Sequence, residues 1–217
     1  RRQRQMCIRD SNKVSPIQQK QMTTVIDKNI FNIAVDGNFD DCQKIVKELF
    51  VDDEIQESTS LTAVNSINWA RLIAQVVYYF WAYLQADKQK INFIVPSGNF
   101  GNIFSAFVAK QMGLPIGHLH IATNSNDILK SIVDTGEMKK KSVSQTYSPS
   151  MDIQVSSNFE RQIFESLNRD SKRVNEVFES FSSKGFYQFD DSVLAKFQQI
   201  YKACLLYTSD AADDAGS

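Results

Sequence analysis

The chain has 217 residues, of which 42% are hydrophobic and 23% are charged, a composition typical of a soluble globular protein with one or two cores. Its formal net charge of −1 gives no electrostatic reason to expect binding to nucleic acid or to an anionic membrane surface. The most apolar stretch, residues 72–84, is too short to span a bilayer, and no secretory signal is visible.

The two ends of the sequence look foreign to the rest. Residues 1–11 have no usable periodicity, and residues 204–217 break off a helical pattern without a cap. Both resemble the translated adaptor ends of reading frames assembled from environmental DNA, so we expect artefacts there and a genuine protein that is truncated on both sides. Without them only Cys42 remains, which argues against a disulfide framework and a cysteine metal site and favours a reducing cytoplasm.

The first third of the remaining chain predicts a helix, a strand and a second helix. Ser15 and Pro16 are suitable first residues for a helix over 14–25, and residues 30–35 predict a buried strand that ends in the turn 36–38. The next helix opens at Asp40 and Asp41 and carries an apolar face of Cys42, Ile45, Val46, Leu49 and Phe50. We expect the acidic run 52–54 to be a solvated loop.

The middle of the chain alternates helices and strands. The helix that ends near residue 86 is apolar nearly all round, so we expect it to lie inside a layered structure. A strand at 91–95, a helix at 102–112, a strand at 118–122 and a helix that ends near 134 follow. This spacing is typical of a parallel sheet covered by helices on both faces, an α/β fold.

After residue 136 the pattern loosens, and Lys139, Lys140 and Lys141 form a basic run that we interpret as loop. Ser156 or Ser157 is expected to cap a helix through Leu167. Two further helices are predicted, over 171–183 and 191–203.

One short run, residues 95–102, joins an apolar strand to a helix through a turn with two glycines, Gly98 and Gly101. Glycine lets backbone N–H groups face a ligand, and the start of a helix adds unpaired N–H groups and a positive dipole end. The residues alone leave two interpretations open, an anion site and an ordinary turn with glycine and asparagine at left-handed positions.

Three other groups of polar residues could carry chemistry. His118 and His120 share one face of a strand, but no cysteine or carboxylate pair completes a ligand set, so we interpret them as structural. Asn124, Asn126 and Asp127 follow the carboxyl end of the same strand, where open α/β sheets bind ligands, although Asn126 or Asp127 could equally cap the next helix. Asn65, Ser66, Asn68 and Arg71 cluster at a helix start, where Arg71 could pair with an anionic substrate or lie on the surface beside an N-cap.

Dinucleotide binding does not fit, because the loop lacks the Gly-x-Gly-x-x-Gly pattern. The sequence also lacks a Walker lysine and a Gly-x-Ser-x-Gly nucleophile elbow.

Six segments, taken together and in order, resemble threonine synthases, which are pyridoxal-phosphate enzymes of the tryptophan-synthase-β-like (type II) fold. The segments are residues 14–18, 35–42, 65–71, 95–102, 122–127 and 150–153. The resemblance implies an incomplete type II fold with a parallel or mixed sheet. It also implies that residues 12–60 belong to the smaller N-terminal domain and 61–203 to the large cofactor-binding domain.

The resemblance further implies a reaction, the conversion of O-phospho-L-homoserine and water to L-threonine and phosphate with pyridoxal 5′-phosphate as cofactor. The cofactor phosphate would be bound by Gly98, Asn99, Phe100, Gly101 and Asn102. The substrate side would include Asn65, Ser66, Asn68, Arg71, Asn124 and Asp127.

The chain departs from the family in one important respect. The Schiff-base lysine of such enzymes lies in a segment like His-Gly-Pro-Thr-x-x-Phe-Lys-Asp, and no lysine here has that context. We therefore expect no catalytic residue in this polypeptide and no activity when it is alone. Two alternatives stay open at this stage: another type II lyase, such as a serine or threonine dehydratase, and a non-catalytic phosphate-binding module.

Overall fold

The computed structural model describes residues 5–10, 19–20, 23–36, 39–61, 68–144, 146–148 and 151–205. The predicted helix over 14–25 and the predicted turn over 36–38 lie largely outside these residues, and the segment 206–217 lies wholly outside them. The chain divides into two compact units, Arg1–Thr62 and Ala63–Ser217.

The described residues of the first unit include two strands and two helices. Strands β1 (Gln5–Asp10) and β2 (Ile30–Val35) pair in parallel, and helices α1 (Phe39–Val51) and α2 (Asp53–Ser58) follow. Residues 1–11, for which we predict an artefact, include those of β1. The acidic run 52–54 is not the predicted loop, because Asp52 accepts the Ile55 N–H at 3.0 Å as the N-cap of α2, and Asp53 and Glu54 form its first turn.

Strand β2 differs from the predicted buried strand. The side chains of Phe31 and Ile33 are 51% and 45% exposed. A two-stranded ribbon has few neighbours to cover its faces, so an apolar sequence is not enough to bury it.

The second unit is built on a three-stranded parallel sheet, which confirms the predicted α/β architecture. The strands are β3 (Ile91–Pro96), β4 (Ile116–Thr123) and β7 (Tyr201–Leu205), in the order β3-β4-β7. Helix α4 (Gly101–Gln111) connects the first two, and α3 (Trp69–Ala86) precedes β3. Between β4 and β7 lie α5 (Ile128–Thr135), α6 (Phe159–Ser166), α7 (Ser171–Lys184), α8 (Asp191–Ile200) and the antiparallel pair β5 (Glu137–Lys139) and β6 (Phe186–Gln188).

The predicted helix over 191–203 is wrong at its end. Helix α8 stops at Ile200, and Tyr201 begins β7, which pairs with β4 from Leu119 to Thr123. The pairing with β4 reaches Leu205, so the sheet includes Cys204 and Leu205, which lie in the end for which we predict an artefact.

An aromatic chain fills the core between the sheet and the helices. Phe100 packs edge to face on Phe159 and Tyr201, with ring centroids 5.0 and 5.4 Å apart. Phe159 then packs on Phe197, and Phe197 on Phe189. These contacts connect the loop after β3 to α6, α8 and β7, so the loop is held from below by the core.

Helix α3 is buried on one side only, contrary to the expectation that it lies inside a layered structure. Leu72, Val76 and Tyr79 face the core. The opposite side is exposed along its length and is apolar: Ile73, Val77, Tyr78, Trp81 and Leu84.

Candidate functional site

The loop after β3 turns the chain from the sheet into α4. The Ser97 N–H continues the sheet with a 2.9 Å bond to the Ala122 carbonyl, and Gly98, Asn99 and Phe100 then form the loop. Phe100 occupies the N-cap position of α4 with a left-handed backbone (φ 63°) and provides no side-chain cap. Its ring is buried in the aromatic core, which stabilises a conformation that a non-glycine residue rarely adopts.

The backbone donors of this loop are available to a ligand. Among the described residues, no hydrogen bond is made by the N–H groups of residues 98–103, and the next one, that of Phe104, donates to the Phe100 carbonyl. Unpaired N–H groups at the start of a helix, together with its dipole, favour an anion. An anion site at this loop stays a prediction.

Two asparagine side chains beside the loop are oriented by neighbouring hydroxyl groups. The Tyr79 hydroxyl donates to the Asn102 Oδ1 (2.8 Å), and burial raises the pKa of Tyr79, so this donor keeps its proton. The Ser157 hydroxyl donates to the Asn99 Oδ1 at 3.4 Å. Because the oxygens are used, each amide directs its N–H2 group elsewhere, and no acceptor for either lies among the described residues.

A second polar cluster lies at the carboxyl end of β4, and Asp152 is its centre. Its Oδ1 accepts from the Asn124 Nδ2 (2.8 Å), the Asn126 Nδ2 (3.0 Å) and the Thr146 hydroxyl (2.7 Å), and its Oδ2 accepts from the Thr146 N–H (2.9 Å). Asn126 additionally binds the backbone of Ser144 through both atoms of its amide. This cluster joins Ser144, Thr146 and Asp152 to the end of the sheet.

The predicted substrate residues at this end of the sheet have structural partners. Both donors of Asn124 are taken by Thr146 and Asp152, and its Oδ1 accepts from the Asn126 N–H. Asp127 forms an ion pair with Lys141 (2.7 Å). The alternative of helix capping is not supported either, because Asp127 occupies the N-cap position of α5 without a side-chain cap bond and Asn126 is used in the cluster.

The other predicted substrate residues lie at the start of α3. Asn65 and Ser66 are outside the described residues. Asn68 is the N-cap of α3 and accepts the Ala70 N–H at 2.9 Å, and Arg71 is exposed in the first turn.

The two histidines lie on β4 with ring centroids 6.4 Å apart. The positive charge of Lys202 is the main cause that lowers the pKa of His118, with smaller contributions from desolvation and other cations. Within the described ranges, no group of three or more histidine, cysteine, aspartate or glutamate side chains could hold a metal ion.

The residues that sequence reasoning missed are Ser156, Ser157 and Asn158. The sequence predicts that Ser156 or Ser157 caps α6, whereas Asn158 occupies the N-cap position and makes no side-chain cap bond. The Ser156 hydroxyl instead donates to the Gly98 carbonyl, and the Asn158 N–H donates to the Asn99 carbonyl at 3.2 Å. These partners are 58 and 59 residues apart in the chain, so no local pattern could reveal them.

No helix among the described residues is long and apolar enough to cross a membrane. No family model matches the chain.

Curated proteins similar to this chain carry one name. A threonine synthase of Pseudomonas aeruginosa is 46% identical over 192 residues, which cover 88% of this chain and 41% of that protein. A threonine synthase of Eremothecium gossypii is 56% identical over 153 residues, which cover 69% of this chain and 30% of that protein. A human protein named threonine synthase-like 1 is 35% identical over 207 residues, or 88% of this chain and 28% of that protein.

Solved structures agree. The pyridoxal-phosphate-bound threonine synthase of Brucella melitensis superposes with a TM-score of 0.79 at 44% identity, covering 92% of this chain and 44% of that one. The threonine synthase of Escherichia coli superposes with a TM-score of 0.70 at 31% identity, over 92% of this chain and 42% of that one. The chain therefore belongs to the threonine synthase family, and it spans about two fifths of the length of the first curated relatives that it matches.

Proposed function

We propose that this chain carries the phosphate-binding part of a pyridoxal-phosphate-dependent threonine synthase. The observation that supports this proposal is the run of backbone N–H groups at residues 98–103, which have no acceptor among the described residues and lie at the start of α4. Such an arrangement suits a phosphate dianion. The residues that would hold it are Gly98, Asn99, Phe100, Gly101 and Asn102.

The side chains around the loop fit the same ligand. Asn99 and Asn102 have their oxygens bound by hydroxyl groups, so each has an N–H2 group left to donate, and no described carboxylate hydrogen-bonds to the loop. When bound, pyridoxal phosphate would supply an electron sink for carbanion chemistry. The loop would anchor and orient it through its phosphate.

The reaction that we propose for the whole protein is the conversion of O-phospho-L-homoserine and water to L-threonine and phosphate, which makes it a carbon–oxygen lyase acting on phosphates. We place the substrate near Asn65, Ser66, Asn68, Arg71, Asn124 and Asp127. Within this set, Arg71 is the exposed cation that could pair with an anionic substrate, whereas Asn124 is used up by Asp152 and Thr146 and would act by shaping the site. The relatives and solved structures described above are named threonine synthases or threonine synthase-like, so a dehydratase or a non-catalytic module is not favoured.

The polypeptide by itself should not turn over substrate, because no lysine of this sequence lies in the family's cofactor-binding segment. Incubation of the purified chain with pyridoxal phosphate and O-phosphohomoserine is expected to release no phosphate above the level without protein. A full-length threonine synthase serves as the positive control. Phosphate release by the chain would contradict this proposal.

The anion site can be tested directly on the chain with ¹⁵N-labelled glycine, since the sequence has 8 glycines. Phe100-Gly101 and Ser97-Gly98 are its only Phe-Gly and Ser-Gly pairs, so ¹³C-carbonyl labelling of phenylalanine or serine assigns the two loop resonances. Titration with inorganic phosphate should move the Gly98 and Gly101 N–H resonances and leave those of Gly113 and Gly185 in place. Unmoved loop resonances would refute an anion site here.

Two glycine-to-alanine variants, one in the loop and one outside it, provide a test and its matched control. A Cβ at Gly101 would lie 3.2 Å from the Asn158 Nδ2 and 3.4 Å from the Leu72 Cδ2, so Gly101→Ala must displace the start of α4 or its neighbours. We expect about tenfold weaker phosphate binding, because the N–H groups no longer converge. Gly185→Ala is the control, since nothing lies within 4 Å of its Cβ and it disturbs only a left-handed residue after α7. Its phosphate affinity should equal that of the unmodified chain.

A further inference from the structure

The segment before α6 holds the anion loop at three points. The Ser156 hydroxyl donates to the Gly98 carbonyl, the Ser157 hydroxyl to the Asn99 Oδ1, and the Asn158 N–H to the Asn99 carbonyl. The acceptors of the loop are thereby occupied, while its N–H groups are not. Asn158 is the buried member of the three, with 0% of its surface exposed.

The orientation of the Asn158 amide follows from its partner Arg161. The Arg161 Nε donates to the Asn158 Oδ1 at 3.1 Å, and the guanidinium lies 5.3 Å from the ring centroid of Trp69. Arginine can only donate hydrogen bonds, so the atom facing it must be the amide oxygen. The N–H2 group of Asn158 must therefore point to the other side.

On that side the N–H2 group meets Gly101. The Nδ2 lies 3.2 Å from the position that a Cβ would take on Gly101, the first residue of α4. Among the described residues this buried nitrogen has no hydrogen-bond acceptor. An unsatisfied buried donor costs free energy, so its retention next to Gly101, the first residue of α4, calls for an explanation.

We propose that Asn158 is a positioning residue of the anion loop. Its backbone N–H donates to the carbonyl of Asn99, and its side chain keeps a donor, not an acceptor, beside Gly101. The N–H groups of the loop therefore have no internal partner and stay available to an anion. This inference rests on the proposed function, because it gives a role to Asn158 in the same phosphate site.

The charge of the side chain at 158 provides the test. Asn158→Asp has the same shape and retains an oxygen for Arg161, but it places an anionic acceptor beside Gly101. We expect sulfate, whose charge does not change near neutral pH, to bind at least about tenfold more weakly, because the carboxylate competes for the loop N–H groups and repels the anion. The Gly101 N–H resonance should also move downfield in the anion-free chain, since it gains an internal acceptor.

Two control variants separate positioning from simple stability. Asn158→Leu loses the bond from Arg161 and should unfold at lower urea concentration than Asn158→Asp, yet it should weaken sulfate binding less. If Asn158 only stabilised the fold, the variant that unfolds at the lower urea concentration would also bind sulfate more weakly. Asn175→Asp adds the same charge at an exposed position of α7 and should leave the sulfate affinity unchanged.

Each outcome is decisive. The inference is wrong if Asn158→Asp leaves the anion-free resonances of Gly98 and Gly101 in place, or if it binds sulfate as tightly as the unmodified chain. If the unmodified chain shows no response to sulfate or phosphate, the proposed function fails, and the anion-free spectra alone then decide whether Asn158 positions the loop.

Discussion

The replacement Asp152→Asn probes the cluster that joins Ser144, Thr146 and Asp152 to the end of β4. The carboxylate of Asp152 receives four hydrogen bonds, three at Oδ1 and one at Oδ2. Asparagine can present only one oxygen, so its N–H2 group must face a donor in either orientation. The less costly orientation keeps the three bonds at Oδ1 and turns the N–H2 group toward the Thr146 N–H.

The cost follows from that geometry. One bond to a charged acceptor is lost, two donors then oppose each other in a partly buried site, and the three remaining bonds lose their ionic character. We estimate a decrease of about 3 kcal/mol in the free energy of unfolding. Urea unfolding followed by far-ultraviolet circular dichroism measures it directly.

Asp134→Asn is the matched control, since the carboxylate of Asp134 pairs with Lys130 on the surface of α5 and its side chain is 40% exposed. Surface pairs contribute little, so its cost should stay below about 1 kcal/mol. If Asp152→Asn lowers the free energy of unfolding no more than Asp134→Asn does, the prediction is refuted, because the four hydrogen bonds would then not stabilise the fold.

Three further predictions concern stability. Tyr201→Phe keeps the ring contact with Phe100 but leaves the buried Gln162 Oε1 without its 2.6 Å bond, so it should lower the free energy of unfolding by about 1–2 kcal/mol. The double variant with Gln162→Met should recover part of this loss. Full additivity of the two substitutions in urea unfolding would contradict the prediction. Asp190→Ala removes the N-cap of α8 and should cost about 1 kcal/mol by the same assay, whereas a neutral result would argue against the cap. Nearby cations, chiefly Lys202, lower the pKa of His118 below 6.5, so the unfolded chain binds a proton first as the pH falls and stability should decrease below about pH 7. His118→Gln should flatten the dependence of the free energy of unfolding on pH between about pH 8 and 5.5. An unchanged slope would exclude His118 as its source.

The strand, loop and helix around the candidate site could be predicted from local sequence. An apolar run that ends at Pro96, two glycines and a helix-forming stretch after Asn102 each act over a few residues, and the structure confirms their order. The alternation with β4 also predicted a parallel sheet correctly. Local patterns sufficed here because turn conformation and helix initiation depend on neighbouring residues.

Patterns of apolar residues were less reliable about burial. The sequence of α3 is apolar on nearly every side, yet Val77 and Trp81 are 61% and 65% exposed. Burial depends on which elements pack against a surface, and the sequence of a helix does not specify which elements those are. The same reason explains why β2 is exposed and why Tyr201 begins a strand, since pairing with β4 outweighs the local helical pattern.

The sequence by itself determined that residues 95–102 form a glycine turn leading into a helix. Six of its segments, in order along the chain, resemble those of threonine synthases. Only the tertiary structure decided which polar groups are free to bind a ligand. Asn124 looked available in the sequence but is consumed by Asp152 and Thr146, whereas Asn158, which no local pattern singled out, faces Gly101 with an unpaired donor. The physical reason is that hydrogen bonding is competitive: a side chain's availability depends on partners that the fold brings from distant parts of the chain.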